Sequence, residues 1–145
     1  MSGMIDWTAL ERAARAAAGR AYCPYSKFRV GAALLADDGT VFSGCNIENA
    51  SYGSTVCAER VALFRAVAEG RRKFKALALS AGKDIPATPC GMCLQVLTEF
   101  CPADLPIRCF PVQPGDQSPL VFTLSELLPH MFSSLHEKAL GASGQ

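Results

Sequence analysis

The sequence predicts an α/β domain, built as a mixed sheet of about five strands with helices on its faces. Three observations carry that expectation. Segments of helical composition alternate with short β-type apolar runs, in the order helix, hairpin, helix, strand, helix, strand, strand, helix. The 145 residues are about the size of one ordinary domain, and 50% of them are hydrophobic, enough for a real core. No internal repeat, linker or low-complexity segment divides the chain, so residues 1–145 are expected to form a single domain.

Each element has a local reason. Residues 6–18 are alanine-rich and bracketed by Asp6 and Gly19, which predicts an amphipathic helix. "YCPYSKF" (22–28) reads as a loop, because Pro24 biases its predecessor toward extended backbone. "FRVGAALLA" (28–36) and "VFSGCNI" (41–47) flank "DDGT", and Asp38-Gly39 between β-type runs signals a hairpin. A polar loop over 48–56 leads to a helix from about 57 to 69, with Gly70 as its C′ residue. That helix is apolar on several sides (Val61, Leu63, Phe64, Val67), which in so small a domain points to a subunit interface. "FKALALSA" (74–81) predicts a buried strand and "GKDIPATP" (82–89) a loop. Thr88 and Pro89 read as N-cap and N1 of a helix over 90–100. "LPIRCFPV" (105–112) and "PLVFTL" (119–124) supply the last strands, separated by the turn "QPGDQS". Thr123 and Glu126 form a capping box for a short helix ending near Pro129, and the tail from about 141 reads as flexible.

Charge and hydropathy narrow the function. The net charge is +1, and the densest basic cluster is "RRK" at 71–73, which reads as a solvated helix end. Nothing here has the footprint of a nucleic-acid surface. No apolar run approaches the roughly 20 residues of a membrane span. The N-terminal segment carries Asp6 and Glu11 and lacks the apolar stretch of a signal peptide, so a cytoplasmic location is expected. There are seven cysteines, an odd count that argues against a disulfide framework in the absence of a secretion signal.

The chemistry lies in three of those cysteines. "TPCGMC" puts Cys90 and Cys93 on one face at a helix start, where thiolates are favoured. This is a strong zinc half-site. A redox Cys-x-x-C would follow the first strand of a thioredoxin-like unit, whereas this pair comes late in the chain. Cys57, also at a helix start, is the third candidate ligand. Glu59 stands two residues on, off the face of Cys57. It is placed to reach a group on the metal from the side.

The pair "CAE" and "PCGMC" matches the zinc deaminase signature, with cysteine in the position where other members have histidine. With "YCPYSKFRVGAALL" (22–35), "GCNIENASY" (44–52), "CAER" (57–60) and "ELLP" (126–129), the chain resembles the small single-domain zinc-dependent cytidine deaminases over roughly residues 20–132. The resemblance implies a three-layer α/β/α cytidine deaminase-like fold. It implies hydrolytic deamination of cytidine and 2′-deoxycytidine to the uridines, a step of pyrimidine salvage. One Zn²⁺ per subunit would be held by Cys57, Cys90 and Cys93, which leaves a fourth position for water and lowers that water's pKa to about 7. Glu59 would be the proton shuttle. Arg60 would offset the charge of three thiolates. Asn46 and Glu48 match the residues that hold the ribose hydroxyls, and Phe28 the aromatic on the pyrimidine ring. Phe132 matches an aromatic that reaches the base from a neighbouring subunit of a homotetramer.

One position departs from the family pattern. Leu94 stands where "PCGxCRQ" carries an arginine, so the local charge or a subunit contact is expected to differ while the zinc spacing is intact. Cys23, Cys45, Cys101 and Cys109 read as structural, and neither His130 nor His136 has ligand spacing to the cluster. A deaminase of an aminonucleoside antibiotic or of a polynucleotide is the nearest enzyme alternative. The near-neutral charge and short loops oppose a polynucleotide, and "NIEN" favours a ribose. A structural zinc module for binding a partner would require a fourth protein ligand and no role for Glu59.

Overall fold

The computed structural model describes residues 4–132. The elements follow as α1 (Trp7–Ala18), β1 (Val30–Ala36), β2 (Val41–Cys45), α2 (Ala58–Ala68), β3 (Phe74–Ala81), α3 (Gly91–Phe100), β4 (Pro106–Phe110), β5 (Leu120–Thr123) and α4 (Leu124–Leu127). A single 3-10 turn, Tyr52–Ser54, lies between β2 and α2. The five strands form one sheet in the order β2-β1-β3-β4-β5. β3 and β4 pair in parallel and the other neighbours are antiparallel. A parallel pair needs a crossover, and α3 supplies it.

The inner strands β1 and β3 are buried on both faces, and the alternating direction of their side chains decides which residue faces which helix. Ala33, Ala76, Ala78 and Phe110 pack with Leu10 and Ala14 of α1 on one side. Ala32, Leu34, Leu77, Leu79 and Ile107 pack with Ala62, Leu63, Leu94 and Leu97 of α2 and α3 on the other. The result is the expected three-layer α/β/α arrangement. Two glycines set the spacing between layers. A Cβ at Gly31 would lie 1.9 Å from the Ala14 carbonyl oxygen, and one at Gly44 would lie 2.5 Å from the Ala62 nitrogen. Only glycine lets α1 and α2 approach the hairpin so closely. Gly44 therefore helps fix the height of α2, the helix that starts at Cys57.

The termini of the helices were largely predictable. Asp6 caps α1 by accepting from Ala9 N–H at 3.1 Å. Gly70, at φ 94°, is the C′ residue of α2, with Gly70 N–H bonded to Val67 and Arg71 N–H to Ala66. That pair of bonds is the Schellman motif. Thr123 and Glu126 form the reciprocal capping box of α4. The start of α3 differs from the expectation. Thr88 is not its N-cap and Pro89 is not its first residue; Cys90 is the N-cap and Gly91 the first helical residue. Cys90 keeps extended backbone while its carbonyl receives the first helical bond, from Leu94 N–H at 3.0 Å. The strand expected from residue 28 begins at Val30 instead, because the Asn46 side chain takes the backbone groups that a neighbouring strand would have paired. The expectations for His136 and for the tail from about 141 lie outside the described residues. No helix among the described residues is long and apolar enough to cross a membrane.

Candidate active site

Two helix starts on the same side of the sheet bring the three cysteines together. Cys57 is the N-cap of α2, Cys90 the N-cap of α3, and Cys93 sits in the first turn of α3. N-cap side chains usually bond a free backbone N–H of the first turn. Here neither cysteine does so, and their sulfurs meet each other instead. The Cys57 and Cys90 sulfurs are 3.9 Å apart, those of Cys90 and Cys93 3.5 Å, and all three lie within 4.8 Å of one another. Tetrahedral zinc with bonds of about 2.3 Å needs sulfurs about 3.8 Å apart, so the donor set fits this ion. Among the described residues no fourth His, Cys, Asp or Glu joins the group, which leaves a coordination position open for chemistry.

The local field prepares the sulfurs. The Cys57 thiol is pulled down to about 5, first by the hydrogen bond from Cys93 and then by Arg60 and Cys90. The Cys93 thiol moves up, because it is the donor in that bond and is buried. Arg60 Nη2 donates to Cys57 Sγ at 3.5 Å and to the Thr55 carbonyl at 3.4 Å. Its buried Nε has no partner. The structure thus sets the Arg60 guanidinium against a sulfur of the cluster that could hold a metal ion.

Glu59 is 4% exposed although it belongs to the first turn of α2. Burial pushes its carboxyl from 4.5 up to about 7, and the nearby Cys57 charge adds to this. A hydrogen bond from its own backbone, then Arg60 and a hydrogen bond with Cys93, act in the opposite direction. A carboxyl balanced near neutral pH can both take and give a proton.

Cys57, Cys90 and Glu59 open onto a cavity of about 450 Å³ that Phe28, Asn46 and Glu48 also line. A volume of this order suits a small organic ligand. Phe28, one of these lining residues, is 45% exposed. Asn46 is buried, with its Nδ2 donating to the Phe28 carbonyl at 2.8 Å and its Oδ1 accepting from Val30 N–H at 2.9 Å. It therefore also fixes the backbone that carries Phe28. Glu48 accepts from the Tyr25 and Ser26 N–H groups and from the Ser26 hydroxyl.

Phe132 is not among the residues that line this cavity. It is 75% exposed, and its carbonyl accepts from Gln95 Nε2 on α3 at 3.1 Å. Leu94 is buried in the core between α2, α3 and the sheet rather than beside the sulfurs. Cys101 and Cys109 are buried with thiols raised to about 12 by desolvation, as structural cysteines are. Ser26, Thr55, Ala87 and Thr88 line the cavity and were not anticipated. They come from three separate loops, and only the hydroxyl of "PYS" just before Phe28 offered any signal.

Residues 5–109 match the family described as the cytidine and deoxycytidylate deaminase zinc-binding region. A cytidine deaminase from Sporosarcina psychrophila is 53% identical over 114 residues, which is 79% of this chain and 82% of the relative. One from Halalkalibacterium halodurans is 54% identical over 114 residues, 79% of this chain and 84% of the relative. A crystal structure of cytidine deaminase from Burkholderia pseudomallei matches with a TM-score of 0.81 at 46% identity, covering 89% of this chain and 100% of that one. The chain belongs to the cytidine and deoxycytidylate deaminase zinc-binding family.

Proposed function

We propose that this chain is a zinc-dependent cytidine deaminase. It hydrolyses cytidine and 2′-deoxycytidine to uridine and 2′-deoxyuridine with release of ammonia, in pyrimidine salvage. The observation that carries this reading is a cluster of three cysteine sulfurs beside a single cavity that Cys57, Cys90 and the buried carboxyl of Glu59 line. A structural zinc module has no use for that carboxyl.

Cys57, Cys90 and Cys93 hold the zinc ion, and Arg60 offsets their charge. When bound, zinc supplies the Lewis acidity that makes water nucleophilic near neutral pH. Glu59 takes a proton from the attacking water and delivers it to the ring nitrogen of the pyrimidine. It then carries the remaining proton of the oxygen added to the ring carbon to the exocyclic nitrogen, whose bond to that carbon breaks to release ammonia as the carbonyl of uridine forms. The Phe28 ring packs on the base, and Asn46 and Glu48 receive the sugar. The substrate is a free nucleoside, and no nucleic acid or membrane takes part.

The working form is a homotetramer in the cytoplasm. An exposed apolar groove along α2, lined by Ile47, Val56, Val61 and Phe64, supports assembly, since Phe64 is 48% and Ile47 45% exposed in the single chain. Phe132 then completes the site of a neighbouring subunit. The test is direct. Purified protein given cytidine should release one ammonia per uridine formed, a chelator should abolish turnover, and added zinc should restore it. Cytidine left unchanged by the zinc-loaded protein would reject the reading. Light scattering at the mass of a monomer would reject the contribution of Phe132 in trans.

A further inference from the structure

The loop ahead of β1 contains a bridge that none of the roles above uses. The Ser26 hydroxyl donates to Glu48 Oε2, and the same Oγ accepts from the Phe28 N–H at 3.0 Å. The Tyr25 and Ser26 N–H groups donate to the other carboxylate oxygen, Oε1, at 2.9 and 3.1 Å. One serine oxygen therefore joins the carboxylate of Glu48 to the backbone of Phe28, and all three residues line the cavity.

The backbone between them is set just as closely. Lys27 has φ 61°, a left-handed conformation that costs a non-glycine residue about 1 kcal/mol. Such a conformation persists only where its surroundings fix it. Here Lys27 N–H bonds the Cys23 carbonyl at 3.0 Å on one side, and the Ser26 bridge holds the chain on the other.

The lone pairs of Glu48 decide what a ligand can find there. Each carboxylate oxygen accepts about two hydrogen bonds. Oε1 already has two donors and Oε2 has one, the Ser26 hydroxyl. A sugar hydroxyl that reaches Glu48 meets the oxygen that Ser26 orients. The Ser26 hydroxyl is also the largest cause holding the Glu48 carboxyl below its ordinary pKa, which keeps it an acceptor. The Ser26 hydroxyl donates its only hydrogen bond to Glu48, so it acts through that residue.

We propose that Ser26 is a positioning residue for the sugar end of the substrate, fixing the Glu48 carboxylate and tying it at a set distance from the Phe28 ring. This rests on the reading that Glu48 receives sugar hydroxyls and Phe28 packs on the base. The test compares cytidine with 2′,3′-dideoxycytidine, which lacks the hydroxyls, on zinc-loaded wild type, Ser26→Ala, Ser26→Thr and Glu48→Gln. Ser26→Ala should lower the ratio of kcat/KM for cytidine over the dideoxy analogue about tenfold, mostly through KM for cytidine. Ser26→Thr, which keeps the hydroxyl, should hold that ratio within about twofold of wild type. An unchanged ratio in Ser26→Ala, beside a collapsed one in Glu48→Gln, would overturn the role of Ser26. An unchanged ratio in Glu48→Gln would remove the sugar reading of Glu48 itself, and the proposal with it. A ratio lowered equally in Ser26→Thr would assign the effect to the loop backbone and also overturn it.

Discussion

The N-cap cysteines on the helix wall of the cavity leave the backbone unbonded, whereas the side chains of the loop wall are committed to it. Cys57 and Cys90 sit at N-cap positions and make no cap bonds. Asn46 and Glu48 face them with side chains already bonded to the backbone at Phe28, Val30, Tyr25 and Ser26. Sulfurs left free of the backbone are available to a metal ion, and their protonation follows the local field. Groups tied to the backbone hold their positions, and so set where a substrate lies. The first wall is suited to reaction and the second to alignment.

This contrast is open to attack from either side. The largest effect should come from the helix wall. Cys90→Ala should reduce bound zinc well below one per chain by metal analysis and bring deamination to background. Retention of full zinc would show that the other two sulfurs suffice and would undo the three-cysteine assignment.

Moving the wall should cost nearly as much as dismantling it. Gly44→Ala would drive a methyl group into the α2 backbone, so a stability loss of about 3 kcal/mol is expected in denaturant unfolding, with activity lost in parallel. An unaffected variant would show that α2 can lift without disturbing Cys57.

Glu59 gives the helix wall a pH signature in the metal-free protein. Its folded pKa, about 7, lies above its ordinary 4.5, so the native state binds the proton more tightly than the unfolded chain. Stability from this group is full below about 4.5 and is lost as pH rises through 7, by about 3 kcal/mol. Cys57, lowered from 9.0 to about 5, works in the opposite sense from about pH 5 to 9, and the windows overlap, so the two must be separated. The contribution of Glu59 is the difference between wild type and Glu59→Gln, with the variant gaining relative stability between pH 5 and 8. A difference that does not change with pH would contradict the buried carboxyl.

The smallest effects belong to the loop wall, and they should divide. Asn46→Ala leaves the Phe28 carbonyl and Val30 N–H unpaired and should cost about 2 kcal/mol in stability. Glu48→Gln should leave the denaturant midpoint close to wild type and raise KM instead. If both variants changed only KM, Asn46 would not be holding the loop.

The same contrast explains what could be read in advance. The spacing of Cys57, Glu59, Cys90 and Cys93 announces the helix wall, because a metal site needs particular atoms at particular intervals. The layers follow from the continuous apolar runs of β1 and β3, which are buried on both faces and so call for helices on each side. The N-cap of α3 was misplaced because Thr88 and Pro89 are the better local formers. Cys90 takes the position because its sulfur is drawn to the cluster. Leu94 could be seen to differ from the family pattern, but its burial in the core is set by packing between α2 and α3. Ser26 was missed because its hydroxyl matters only once the loop folds onto Glu48, 22 residues away in the chain.

The central claim is that Glu59 moves the protons while the cysteines hold the metal, so Glu59→Gln is the measurement that tests it. Zinc content and cytidine turnover would be taken on the same preparation. The expected result is one zinc per chain with kcat reduced by about a thousandfold or more. Full turnover in the zinc-loaded variant would contradict the account.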